Sequence, residues 1–264
     1  MSLSTYHLHT TFSDGKNTAE EMIKQAIALG CTEIGFSDHS PFDFECSWDI
    51  KKERISEYVS TLTALKEKYK DKIKVYIGIE QDYFSPEISW KPDYIIGSVH
   101  YVLKDGAYLD VDISAEGVKK NIDKYYGGDV YAYCEDYYKL VADVYNKTKC
   151  DIIGHFDLVT KFNEVMPIID TSNPRYVNAV NMALEGLLSS DAIFELNTGA
   201  ISRGYRTSPY PSNEIVDKIA KSGKKFVVNS DTHSTDSIAF MLDKTAEALA
   251  KKGYEYITSL DEIL

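Results

Sequence analysis

Short apolar runs alternate with amphipathic stretches from one end of the chain to the other. Seven runs read as strands: residues 5–9 (TYHLH), 33–37 (EIGFS), 74–80 (KVYIGIE), 94–99 (YIIGSV), 151–155 (DIIGH), 192–197 (AIFELN) and 225–230 (KFVVNS). A shorter eighth, YEYIT, follows near the C-terminal end. Several are near-continuous rather than alternating, which suits parallel strands covered on both faces. Helical spacing fills the intervals. Thr18 and Glu21 form a capping-box pattern ahead of Met22, Ile23, Ala26 and Ile27, and Gly30 closes that helix. Ile55, Val59, Leu62 and Leu65 give a second amphipathic face, and Pro174 after Asn173 opens a long helix through Leu188. Ser212 opens another that stops at Gly223, and residues 237–252 form the last, before Gly253.

Repeated β-α units of this kind predict a doubly wound sheet or a closed barrel. No Gly-rich phosphate loop follows any strand, which disfavours a nucleotide-binding sheet. No Gly/Ser- or Pro-rich linker divides the chain, so residues 1–264 read as one domain. Residues 101–150 break the alternation, with at least one long helix and nine of the chain's 20 tyrosines. Tyr133, Tyr137, Leu140, Val141 and Val144 recur at helical spacing and are expected to pack against the sheet.

Composition narrows the function. No apolar run is long enough to span a bilayer and the start lacks a signal-peptide pattern, so the expected compartment is the cytoplasm. Cys31, Cys46, Cys134 and Cys150 show no C-x-x-C spacing and are expected to be buried, reduced thiols. With 41 acidic against 29 basic residues the net charge is −12, which leaves no general footprint for nucleic acid. An anionic substrate would need a local source of positive charge, such as bound cations.

All six histidines lie at or just beyond the C-terminal end of a predicted strand: His7 and His9, His39, His100, His155 and His233. Strand alternation places His7 and His9 on one side, roughly 7 Å apart. In a β/α barrel the C-terminal strand ends form the catalytic face, so all six would converge on one mouth. Asp14, Glu80 and Asp231 occupy matching places. Imidazole and carboxylate without thiolate suit Zn, Mn or Fe bound for hydrolysis. Nine such ligands exceed the needs of one catalytic zinc and suffice for two or three ions, with Glu80 placed to bridge.

The segments YHLHTTFSDG, FSDHSPF, GIEQDYF, GSVHYV, GHFDLVTKFN, ELNTGAISRGYR and NSDTH, in this order between residues 6 and 233, resemble the successive motifs of the PHP (polymerase and histidinol phosphatase) superfamily. The resemblance is greatest to its monofunctional histidinol-phosphate phosphatases. It implies an α/β fold, a distorted seven-stranded (β/α) barrel, with three divalent metal ions. His7, His9, Glu80 and Asp231 would hold the first ion; Glu80, His100 and His155 the second; Asp14, His39 and His233 the third. Some relatives carry histidine where Asp14 stands, and oxygen there shifts that site toward Mn or Fe, or weakens it. The implied activity is hydrolysis of L-histidinol phosphate to L-histidinol and inorganic phosphate, a step of histidine biosynthesis, by a hydroxide held between two ions. Glu80 would bridge those ions, Asp231 would handle the nucleophile's proton, and His233 or a metal-bound water would serve the leaving group. A trinuclear cluster keeps a net positive charge after its carboxylates are counted, which reconciles an acidic protein with an anionic substrate.

Basic residues near strand ends are the candidates for phosphate: Arg203 and Arg206 after the sixth strand, Lys161 after the fifth. Asn197 and Ser202 are expected to orient them, Tyr101 to line the pocket, and Asp43 and Phe44 to meet the substrate's ammonium and imidazole. The partner is thus a small phosphomonoester, with no nucleic acid and no membrane. A PHP-type phosphoesterase acting on a nucleotide or another small phosphomonoester remains the alternative. A metal-binding domain without turnover would show lost ligands, and none is lost.

Overall fold

A computed structural model describes residues 3–264. In chain order the elements are β1 (Leu3–Thr5), α1 (Ala19–Ala28), β2 (Cys31–Phe36), α2 (Ile55–Tyr69), β3 (Lys74–Ile77), β4 (Ile79–Asp82) and β5 (Ile95–Ser98). There follow β6 (Tyr101–Lys104), β7 (Ala107–Asp110), α3 (Ala115–Tyr126), α4 (Val130–Thr148), β8 (Ile152–Ile153) and α5 (Pro174–Leu188). The last are β9 (Ile193–Asn197), α6 (Gly199–Ser202), α7 (Asn213–Lys221), β10 (Phe226–Asn229) and α8 (Leu242–Lys252).

Parallel pairing builds two sheets, ordered β1-β2-β3 and β10-β9-β8-β5-β4. The expected α/β architecture of parallel strands and outer helices is therefore present. The run expected as one strand over 74–80 is broken at Gly78: the residues before it pair with β2 and those after it with β5. A Cβ at Gly78 would stand 2.5 Å from the ring of Tyr94, so a side chain has no room at this corner. The same crossing stitches the sheets together. Gly78 N donates to Phe36 O (2.8 Å), Glu80 N to Asp38 O (3.1 Å) and Ser40 N to Glu80 O (2.9 Å).

The second seam joins the N-terminal run to the seventh. Residues 5–9 do not form one continuous strand, because Tyr6 N donates to the Asn229 side chain (2.8 Å) and leaves the ladder. Pairing resumes at Leu8 opposite Thr232, with His9 N donating to Thr232 O (2.9 Å). Of the eighth run only Tyr256 pairs, with Phe226.

The chain ends observed for the helices follow their caps. Thr18 and Glu21 make the reciprocal capping box, and the Asn173 side chain accepts from Arg175 N behind Pro174. The last helix begins at Leu242 rather than 237, since a single 3₁₀ turn at 235–237 is cut off by the left-handed Met241 (φ 56°). Tyr133, Tyr137, Val141 and Val144 are buried as expected, in a core between the five-stranded sheet and its helices. A second core lies beneath α1 and α2. Inside the ring, Tyr6, Tyr76, Tyr94, Ile96, Ile152 and Ile193 pack with Ile257 and Leu260 from the C-terminal segment.

α3, α6 and the strand pair that follows His100 were not expected from the sequence. β6 and β7 form an antiparallel hairpin about Asp105 (φ 48°) and Gly106 (φ 79°). Two successive left-handed residues are what a two-residue hairpin loop requires, and Asp-Gly supplies them. All four cysteines are buried and unpaired. Among the described residues no helix is long and apolar enough to cross a membrane.

Candidate metal centre

Every one of the nine predicted ligands reaches the same place. Glu80, buried just beyond the Gly78 corner, stands at the middle. Its Oε2 lies 3.2 Å from His7 Nε2, 3.6 Å from His9 Nε2 and 2.8 Å from His39 Nδ1. Its Oε1 lies 3.4 Å from His100 Nε2 and 2.9 Å from His155 Nε2. Asp231 Oδ1 approaches His9 Nε2 (3.3 Å), and Asp14 Oδ2 approaches His233 Nε2 (3.3 Å). Donor atoms fall into four sets whose members lie within 4.8 Å of one another: His9, Asp14, His39 and His233; His7, Glu80 and His155; His7, His9 and Asp231; His39, Glu80 and His100. These differ in detail from the three sets implied by the resemblance. His100 and His155 share one oxygen of Glu80 but fall in different sets, because that oxygen sits between them.

A ring of groups behind the ligands fixes their orientation. Glu195 Oε1 is 2.6 Å from His7 Nδ1, while its Oε2 accepts from His155 N (2.8 Å) and Asn197 Nδ2 (3.0 Å). Asp82 Oδ2 accepts from His100 N (2.8 Å) and faces its Nδ1 (3.1 Å). Arg203 Nη2 donates to Asp231 Oδ2 (3.0 Å) and Nη1 to Asp231 O (3.0 Å). Asp231 is itself left-handed (φ 46°), and Gly199 leaves room for it: a Cβ there would be 2.8 Å from Asp231 Oδ2. Asp38 accepts from Thr10 N (2.7 Å) and Ser13 Oγ (2.6 Å), tying the first ligand loop to the second.

The electrostatics are those of crowded charge. Burial works against ionisation of Glu80, yet the imidazoles of His7, His39 and His100 hold its carboxyl well below the usual range. Burial also opposes charge on His100, but Glu80 and Asp82 outweigh it and raise the imidazole to about 9. His9 goes the other way, pushed down to about 3 by burial and by His233 and His39. His7 Nε2, both ring nitrogens of His9 and Glu80 Oε2 are buried without a hydrogen-bond partner. Buried polar atoms are seldom left so. Nitrogen and oxygen donors crowded together in this state, with no thiolate among them, fit divalent cations.

The family model described as the PHP domain matches residues 5–199. The chain belongs to the PHP domain family. Asp231 and His233 lie beyond the matched span and rest on geometry. Among curated relatives, probable histidinol-phosphatases of Schizosaccharomyces pombe and Deinococcus radiodurans are 26% and 27% identical; they align over 91% and 96% of this chain and 82% and 94% of their own lengths. A histidinol-phosphatase of Lactococcus lactis is 25% identical over 96% of this chain and 93% of its own. A provisionally named histidinol phosphatase from Listeria monocytogenes superposes with a TM-score of 0.78, at 22% identity, over 91% of this chain and 99% of that one. The L. lactis histidinol phosphate phosphatase, solved with zinc, L-histidinol and phosphate, superposes at 0.68 and 21% identity, over 97% and 95%. At such identities these superpositions establish the shared PHP fold.

In this PHP domain the centre floors an open cleft of about 870 Å³. Arg203, Lys161, Ser202 and Tyr101 line it, as expected of substrate contacts. Lys161 Nζ is paired with Asp112, and the Tyr101 hydroxyl reaches only Cys46 Sγ (3.9 Å). Asn197 does not reach the cleft: it is fully buried, holding Glu195 and Asp231 (3.2 Å) and accepting from Gly199 N (2.8 Å). Arg206 turns away too, donating to Thr160 Oγ1 (2.7 Å) over the Tyr210 ring. Asp43 is exposed and paired with Lys52, and Phe44 stacks on Tyr108. Sequence reasoning missed Glu195, Asp82, Asp110, Asp112 and Trp48. An acid inside the apolar run AIFELN, and an acid two residues beyond Glu80, were the available signals for the first two.

Proposed function

We propose that this PHP domain, acting as one folding unit, is a divalent-metal-dependent phosphatase that hydrolyses L-histidinol phosphate. The observation that carries the reading is Glu80, a buried carboxylate facing five imidazoles at the floor of a cleft sized for a small molecule. The names of the curated relatives, and the zinc, L-histidinol and phosphate of the L. lactis structure, support the metal and substrate assignments.

His7, His9, Asp14, His39, Glu80, His100, His155, Asp231 and His233 would hold three cations, drawn from Zn, Mn and Fe. Bound there, they would supply Lewis acidity toward the phosphoryl oxygens and activate water. The chain's own residues do the positioning. Glu195 and Asp82 fix which ring nitrogens of His7 and His100 face the centre. Arg203 occupies one oxygen of Asp231 and leaves the other turned inward, where it accepts the nucleophile's proton. His233 stands at the cleft edge, where, as the alternative to holding a cation, its imidazole would protonate the leaving alkoxide. Lys161 and Arg203 add positive charge beside the phosphate.

The test combines elemental analysis of the purified protein with phosphate release across a panel of phosphomonoesters. L-histidinol phosphate should exceed the others by at least about tenfold in kcat/KM, a difference of about 1.4 kcal/mol. Preference for a 3′-phosphorylated nucleotide would overturn the assignment. The cleft wall carrying Glu45 and Asp110 supports the smaller substrate, since like charge repels a polyanion.

A further inference from the structure

The hairpin absent from the sequence reading supplies one wall of the cleft. β6 starts directly after His100, Tyr101 pairs with Asp110 across the hairpin, and Val111 N donates to His100 O (2.9 Å). Asp110 is thereby held close to the metal centre, half-buried and lining the cleft. Its Oδ1 accepts from Asp112 N (2.6 Å). No basic side chain pairs with it. The other cleft carboxylates differ: Glu80 and Asp14 face imidazoles, Asp231 has Arg203 and imidazoles, and Asp112 has Lys161. Glu45 and Asp236 are unpaired but exposed, so water solvates them. Among the described residues, then, Asp110 is the one sheltered carboxylate of the cleft that forms no ion pair; burial opposes its charge, while His100 and Lys161 favour it from a distance. Withdrawing a carboxylate from water without compensation is unfavourable, and a ligand's cation would relieve it. Trp48 and Tyr101, whose rings stack 6° from parallel at 5.8 Å, line the same cleft, and Tyr101 is the cross-strand partner of Asp110; their faces would add attraction for a cation.

We propose that Asp110 receives the ammonium of an aminoalkyl phosphomonoester and so makes the cleft selective for substrates that carry one. This rests on the phosphatase reading and names the feature that the site would select. The substrate class is zwitterionic: phosphate toward the centre, and an ammonium on the carbon next to the ester-bearing carbon, toward the hairpin.

The experiment compares L-histidinol phosphate with its des-amino analogue, 3-(imidazol-4-yl)propyl phosphate, on the metal-loaded enzyme. The wild type should favour the amino substrate by roughly 10- to 100-fold in kcat/KM, the range of one hydrogen-bonded charge. In Asp110→Asn, which retains an acceptor for Asp112 N, that ratio should collapse toward one, and Asp110→Glu should retain part of it. Asp110→Ser replaces the Asn variant should the latter not fold. A ratio unchanged in the neutral variant overturns the inference. A wild type that hydrolyses both esters equally leaves the phosphatase reading standing and removes Asp110 from it. A wild type that hydrolyses neither brings down both.

Discussion

Two buried carboxylates, Glu80 and Glu195, organise the centre. Glu80 collects five imidazoles, and Glu195 stands behind His7 and the backbone of His155 at 2.6 and 2.8 Å. Glu80→Gln keeps the shape and removes the charge, so it is expected to lose most bound metal and more than about 100-fold in activity, with an unchanged far-ultraviolet spectrum. Retention of full metal content by that variant would contradict the central role given to it. Glu195→Gln should weaken metal affinity by about 10- to 100-fold, measured by competition with a chelating dye. At this scale the nine donors were legible, because histidine is scarce in the chain and each one sits at a strand end. Glu195 was not, because within AIFELN it reads as one acid in an apolar strand. Only its burial beside His7 gives it a role.

At the scale of elements, the break in KVYIGIE is set by packing rather than by pattern. The run is uniformly strand-like, and nothing in it announces that its two halves join different sheets. The reason is Tyr94, whose ring fills the space beside Gly78 and whose hydroxyl donates to the carbonyls of Tyr6 and Phe36. Gly78→Ala should therefore destabilise the fold by about 1–3 kcal/mol through overpacking, seen as a lower urea midpoint at constant slope. An unaltered midpoint would mean that Tyr94 yields freely. The hairpin is the opposite case. Its Asp105-Gly106 turn is a plain hairpin signal, but the tyrosines of residues 101–150 recur at helical spacing and mask it. Caps made helices legible at Thr18 and Asn173; α3 was not legible although Ser114 caps it, nor was the start of α8, because Met241 interrupts a stretch whose polarity reads as helical.

For the molecule as a whole, charge crowding at the centre makes stability depend on pH once cations are removed. Burial opposes charge on His7, His39 and His100, but the neighbouring carboxylates raise all three, His100 to about 9 against an ordinary 6.5. A histidine raised by folding contributes stability that is complete below about pH 6.5 and vanishes as the pH climbs through about 9. His9, depressed to about 3, is neutral in the fold throughout that window, and its unfolded form loses its remaining charge just above the lower edge. The urea midpoint of chelator-treated protein should therefore fall between about pH 6.5 and 9.5, and a flat profile would refute the argument. The two seams carry a further consequence. His39 and Glu80 face each other across one, and His7 and His9 face Asp231 across the other. Cations shared by those pairs would rivet one sheet to the other at both joints, so loading and ring closure become a single cooperative event. Chelation would then loosen the molecule along two lines, residues 36–40 against 78–80 and 7–9 against 231–233, where amide exchange should quicken first.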